Sequence, residues 1–220
     1  MCHALFDTSF VGNIMVLHEI CLIDENKNER ESYAAIINML LSGTGVTISP
    51  TTPLSKKEEY SDLLIKNRFS GFILDQKLED GGFDYSGSDL AIFIRAIDDK
   101  LPIFILTNYK NERAQFVDSE KDVEYIYAKS EVTDPLSQDA QVFKARLLRR
   151  LNVFAVVRSE RQQRFHELLT KSMSQSLSVE ELDEMGLLEE GRLAAVQVSE
   201  VKKTADLEEV LGELRKFLAK

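Results

Sequence analysis

Between His18 and Lys129 the chain alternates short apolar runs with longer amphipathic stretches. The apolar runs are ICLI, which ends just before Asp24, then VTIS, GFIL, LPIFIL and VEYIYA. Each is short, rich in β-branched or aromatic residues, and free of a clean two-residue alternation. That is the pattern of strands covered on both faces of a parallel sheet. The stretches between them read as helices over about Lys27–Leu41, Ser55–Lys66, Ser88–Asp98 and Asn111–Asp118. In the third, Leu90, Ile94 and Ile97 fall at helical spacing, and Ser86 or Ser88 is placed to cap its start. Five strands alternating with helices predict a doubly wound α/β sheet with right-handed crossovers.

Beyond Lys129 the texture changes. From Asp134 or Pro135 to about Ser176 there are few helix breakers, and Val142, Leu147, Leu151, Phe154, Val157 and Phe165 recur with helical periodicity. The first part of this stretch is expected to pack on the sheet as a fifth helix, with the remainder extending beyond it. Ser178 followed by Glu181 is a capping-box signature heading a short helix that ends near Gly186. Gly191 breaks the chain again, and Asp206–Leu218 reads as a last amphipathic helix with Leu207, Val210, Leu211, Leu214 and Leu218 on one side. The pattern divides the chain into an extension over 1–17, an α/β unit over 18–151 and a mainly helical region over 152–220.

Composition narrows the chemistry. The hydrophobic fraction of 44% over 220 residues supports a globular core. The formal net charge of -10, with no stretch dense in Lys and Arg, opposes binding to a phosphate backbone, so direct DNA binding is not expected. Cys21 lies in an apolar run and Cys2 near the start; no CxxC pair suggests a zinc site or disulfide scaffold. No run is long enough to span a bilayer, and no basic segment followed by an apolar core stands near Met1, so the expected compartment is the cytoplasm.

Functional groups of a doubly wound sheet gather at the carboxyl ends of its strands. Collecting the polar residues there gives Asp24 and Glu25 after the first strand, Asp75 after the third, Thr107 after the fourth and Lys129 after the fifth. Converging carboxylates repel one another, and a divalent cation with oxygen ligands relieves that repulsion. A carboxylate beside Mg²⁺ can act as a nucleophile toward a phosphoryl group, and a hydroxyl and an ammonium suit the resulting phosphate oxygens. Singly, each residue has a plainer role as a helix-start carboxylate, a strand-end hydroxyl or a solvated lysine.

The segments LIDEN, GFILDQKL, GSDLAIFIR, LPIFILTN and YIYAKS, in that order, resemble the signature blocks of response-regulator receiver domains over about Glu19 to Leu151. The resemblance implies a flavodoxin-like sheet of order 2-1-3-4-5. It also implies that Asp75 is the phosphoacceptor, that Thr107 and Lys129 contact the phosphate as switch residues, and that Asp24, Glu25, Asp75 and the backbone carbonyl of Lys77 hold Mg²⁺. The partners implied are a histidine kinase or phosphotransfer protein and an output protein, with output through protein–protein contact or homodimerisation. Such a protein is a phosphoacceptor that catalyses only its own phosphorylation and dephosphorylation.

The chain departs from that pattern in several places. Ser130 follows Lys129 where the family usually has a cis proline, and Ile126 takes the usual aromatic position three residues before the lysine. The loop LEDGGFDYSG is longer and more acidic than usual, and Tyr109 is bulky where the family is commonly small. Lys77 and Tyr109 are predicted to restrict water and lengthen the life of an acyl phosphate. Two other readings stay open on the residues. One is a phosphorylation-independent pseudo-receiver scaffold. The other is a haloacid-dehalogenase-like phosphatase, which would need an acid two residues after Asp75, where this chain has Lys77. His166 in FHELL resembles the histidine box of sensor kinases, but no ATP-binding glycine motif accompanies it, and a surface role is expected.

Overall fold

The computed structural model describes residues 18–66, 69–111, 116 and 121–189. Its centre is a sheet of five strands, β1 (His18–Ile23), β2 (Val46–Thr51), β3 (Gly71–Leu74), β4 (Ile103–Thr107) and β5 (Tyr125–Ala128). All pair in parallel in the order β2-β1-β3-β4-β5. The central strands read as continuous apolar runs because both faces are covered. β3 and β4 are buried at every residue. β2, at the edge, alternates in burial and tolerates Pro50, whose missing N–H costs least there.

Two apolar cores flank the sheet, and alternate residues of each strand feed them. Ile20, Leu22, Ile73, Phe104 and Leu106 face the helices α1 (Lys27–Leu40) and α4 (Gln138–Ser174). Cys21, Ile23, Phe72, Leu74 and Ile103 face α2 (Tyr60–Ile65) and α3 (Gly87–Ile97). Cys21 is thus a core residue. The expected doubly wound arrangement and strand order are both present.

Helix ends follow local chemistry more closely than hydrophobic period. Asn26 caps α1 by accepting the Asn28 and Glu29 N–H groups. Ser86, not Ser88, caps α3, in a capping box with Asp89. The helix expected from Ser55 starts later: Lys57–Glu59 forms a 3₁₀ turn that leads into α2. The long helix begins at Gln138 rather than Asp134 or Pro135, because the Ser137 hydroxyl accepts the Ala140 N–H and caps it there. The helix expected over Asn111–Asp118 lies outside the described residues except Asn111 and Phe116, both in turns.

α4 meets the sheet through Ala140, Phe143, Leu147 and Leu151. Val142 was expected on that face but is partly exposed, and the helical phase gives the position to Phe143. Phe143 packs edge-on against Tyr127 at 5.0 Å between centroids. The helix runs unbroken through Leu151 to Ser174, and residues 179–189 form another helical segment. The Ser178–Glu181 capping box opens that segment, which passes through Gly186 instead of ending there. Its acidic residues reach α4: Glu184 receives two hydrogen bonds from Arg164, and Glu181 receives two from Lys171. These four bonds tie the segment back onto α4. Gly191, the segment RLAAVQVSEV and Asp206–Leu218 lie outside the described residues, as do Cys2 and positions 1–17.

No helix among the described residues is long and apolar enough to cross a membrane.

Candidate functional site

The carboxyl ends of β1, β3 and β5 bring Asp24, Asp75 and Lys129 into one buried cluster. The Lys129 Nζ lies 2.7 Å from Asp24 Oδ2, 3.0 Å from Asp75 Oδ1 and 2.5 Å from Glu29 Oε2. An ammonium has three N–H donors, and here each has a carboxylate. The Tyr33 ring stands over the same ammonium, 5.6 Å from ring centroid to Nζ. Lys129, Asp24 and Asp75, all expected at strand ends, are thus brought together, and Glu29 and Tyr33, which the sequence pattern did not single out, join them. Both lie on α1, one helical turn apart and just after the Asp24 loop, and only Lys129, 100 residues further along the chain, gives Glu29 its place in the site.

The second oxygen of each buried aspartate is held by backbone. Asp24 Oδ1 accepts the Asn26 N–H at 2.8 Å, and Asp75 Oδ2 accepts the Lys77 N–H at 2.6 Å. Arg30, also unforeseen, donates to the Asp24 carbonyl at 2.6 Å and to Thr52 Oγ1 at 3.2 Å, which ties the β1 loop to the β2 edge. Two glycines permit the close approach around this cluster. A Cβ on Gly87 would stand 2.0 Å from the Asp75 carbonyl oxygen, so α3 can start against β3 only without a side chain. A Cβ on Gly81 would stand 2.6 Å from Glu25 Cβ.

Electrostatics follow from this burial. Burial pushes the Asp75 carboxyl above its ordinary value, against the opposing pull of the Lys129 charge and hydrogen bond. Burial alone would lower Lys129, but Asp75, Asp24 and Glu29 more than offset it and hold the ammonium charged. Glu25 is less well compensated: its Oε2 is buried without a hydrogen-bond partner among the described residues, and burial pushes it up to about 7, with Asp75 and Asp24 adding to the rise against a backbone hydrogen bond and the Lys129 charge.

A metal site can be tested on these facts. Three carboxylates face one ammonium, an oxygen of Glu25 is unpartnered, and every donor is a hard oxygen, so charge and ligand type fit Mg²⁺. The Lys77 carbonyl accepts the Asp80 N–H at 3.1 Å and keeps a second lone pair. Among the described residues no three His, Cys, Asp or Glu side chains already form a metal cage. Mg²⁺ characteristically retains several waters and needs only one or two carboxylates.

The remaining expected residues line the approach. Thr107 ends β4 fully buried, and its Oγ1 accepts the Tyr109 N–H at 3.1 Å. That bond holds the hydroxyl by its own loop. The Lys77 Nζ stands 4.8 Å from the centroid of the Tyr109 ring, so the two residues expected to restrict water do meet. The acidic loop after Asp75 is pinned at both ends. Leu78 is fully buried, and Tyr85 donates to the Leu54 carbonyl at 2.5 Å and pairs with the Tyr60 hydroxyl at 3.2 Å. Lys129–Glu131 forms a 3₁₀ turn, with no cis peptide among the described residues. Ile126 is half-buried, and His166 is exposed on α4 as expected.

No protein-family model matches this chain, and no curated protein does. Several solved structures are similar. A response regulator receiver domain protein from Clostridium thermocellum shares 18% identity, with a TM-score of 0.42 and coverage of 65% of this chain and 98% of that one. The non-phosphorylated HemR receiver domain from Leptospira biflexa shares 22%, with a TM-score of 0.41, covering 61% and 94%. A response regulator from Burkholderia pseudomallei, solved with a phosphorylated aspartic acid, calcium ion and citrate, shares 19%, with a TM-score of 0.41, covering 72% and 87%. Likenesses of this size assign no residue a role.

Proposed function

We propose that this chain is a response regulator whose Asp75 accepts a phosphoryl group from a histidine kinase or phosphotransfer protein. The observation that carries the reading is the buried Asp75 carboxylate, joined through Lys129 to Asp24 beside the unpartnered Glu25 oxygen. A purely structural ion cluster would gain nothing from a fourth carboxylate, Glu25, with one oxygen buried and unpartnered, since burying a polar atom without a hydrogen bond costs free energy.

In the transfer, an Asp75 carboxylate oxygen bonds to phosphorus as the phosphorus–nitrogen bond of the donor phosphohistidine breaks, and the imidazole leaves with that electron pair. Lys129 is placed to neutralise a phosphoryl oxygen on Asp75, and Thr107, at the end of the neighbouring strand, to donate its hydroxyl. Mg²⁺, held by Asp24, Glu25, Asp75 and the Lys77 carbonyl, would supply further neutralisation of the phosphoryl oxygens. Lys77 and Tyr109 shield the acyl phosphate from water. Pulling Thr107 and Lys129 toward the phosphate shifts the β4–β5 surface, a two-state change biased by local charge. Output runs through the helical region 152–220 by protein contact or homodimerisation, without direct DNA binding, in the cytoplasm.

The pseudo-receiver reading has one observation in its favour: all three Lys129 donors are already occupied, a self-contained site. The phosphatase reading has none, since the Lys77 side chain lies over Tyr109 and offers no general acid toward Asp75. Thermal unfolding with Mg²⁺ and beryllofluoride, with Asp75→Asn as control, separates the first two. A rise in Tm that needs both additives and Asp75 supports phosphoacceptance. No response in wild type supports the scaffold.

A further inference from the structure

In resting Lys129 the three N–H donors are matched one to one by Asp24, Asp75 and Glu29. A phosphoryl group arriving on Asp75 brings new, more highly charged acceptors, so one existing bond must be released before Lys129 can serve them. The three carboxylates are not equally able to let go. The side chains of Asp24 and Asp75 are 3% and 5% exposed, whereas that of Glu29 is 37% exposed. Freed from the ammonium, Asp24 becomes a buried charge left with only the Asn26 N–H on Oδ1, while Glu29 can turn into water. Glu29 also stands in the first turn of α1, and the Asn26 cap there does not depend on its side chain.

We propose that Glu29 is a positioning residue that sets the threshold for activation, by competing with the phosphoryl group for the third donor of Lys129. This rests on the phosphoacceptor reading of Asp75 and deepens it. Glu29 holds the ammonium toward α1 and Tyr33 in the resting state and yields it to the phosphate. Its own negative charge also opposes the incoming dianion, so both effects act in the same direction. A merely structural Glu29 predicts the reverse, since losing an anchor would loosen the site and weaken ligand binding.

The test compares wild type, Glu29→Gln and Glu31→Gln. Glu31 is an exposed control on the same helix, paired with Lys27 at 3.8 Å. The concentration of beryllofluoride giving half-maximal change in tyrosine fluorescence is measured at saturating Mg²⁺. The expected result is binding about three- to tenfold tighter in Glu29→Gln, the scale of one partly exposed ion pair plus one like-charge repulsion, with Glu31→Gln as wild type. Unchanged or weaker binding in Glu29→Gln, with wild type binding normally, overturns the proposal and leaves the phosphoacceptor reading intact. The same tightening in Glu31→Gln also overturns it, because general charge would then suffice. Absence of binding in all three proteins overturns the phosphoacceptor reading and this proposal with it.

Discussion

Replacing Lys129 with methionine keeps the length of the side chain and removes the one charge that joins three strand ends. Asp24 and Asp75, both buried, lose their shared counter-ion and keep only the Asn26 and Lys77 N–H groups. Glu29 turns to solvent and contributes little to the loss. Leaving buried carboxylates uncompensated in this way costs about 3–5 kcal/mol. For a chain of this size each kcal/mol lowers Tm by roughly 2–4 °C, so the expected drop is on the order of 10 °C. The loss also carries a pH signature. Without the ammonium, burial raises Asp75 further above its unfolded value. A carboxyl raised on folding favours the folded state below its unfolded pKa, and that contribution is lost as pH rises. The gap between variant and wild type therefore widens as pH rises above the ordinary aspartate range. Urea unfolding followed by far-UV circular dichroism at four pH values measures it, and saturating Mg²⁺ narrows the gap by restoring positive charge. A difference below about 1 kcal/mol, the size of an exposed pair, or one that does not vary with pH, would refute the claim that Lys129 holds the site together.

The same facts make other outcomes measurable. Glu25 titrates at about 7 in the folded protein against 4.5 for an ordinary glutamate, so its charging destabilises the metal-free protein as pH rises through about 7. Glu25→Gln should then raise the Tm of metal-free protein at pH 8, leave it unchanged at pH 5, and weaken the response to Mg²⁺; a Tm lowered at pH 8 contradicts this. Burial lowers the pKa of His18, whose Nδ1 has no hydrogen-bond partner among the described residues. The unfolded chain therefore takes up this proton first, and stability falls as pH drops below about 6.5. His18→Phe should flatten that part of the pH–Tm curve, and an unaltered slope counts against it. Tyr109→Ala uncovers the Lys77 side of Asp75 and should speed loss of the acyl phosphate several-fold, read as decay of the phosphorylated mass. Gly87→Ala drives a Cβ into the Asp75 carbonyl and should cost about 3 kcal/mol, the upper end for overpacking, measured by urea unfolding.

How much of this was legible in the sequence depends on the type of interaction. The strands could be read because β1, β3 and β4 are buried on both faces and therefore show as uninterrupted apolar runs. Asp24, Asp75, Thr107 and Lys129 could be read because each stands at the end of such a run, where parallel topology gathers strand ends. Helix starts were harder. They are set by single hydrogen bonds, such as those to Ser137 and Ser86, and hydrophobic period does not register these. Phe143 displaced Val142 from the core because one residue of helical phase moves a side chain by about 100°, from 3.6 residues per turn. Glu29 escaped because its significance depends on Lys129, 100 residues away in the chain. Nothing local distinguishes it from any other acidic residue in a first helical turn. The pairing of Glu181 and Glu184 is hidden for the same reason: their partners Lys171 and Arg164 lie on another element.

The measurement that bears most directly on the central claim is intact mass after incubation with acetyl phosphate and Mg²⁺, followed by borohydride reduction and peptide mapping. The account predicts one added phosphoryl group, dependent on Mg²⁺, with the reduced acyl phosphate mapped to Asp75 and no adduct in Asp75→Asn. No adduct on wild type, or an adduct mapped to another residue, would contradict it.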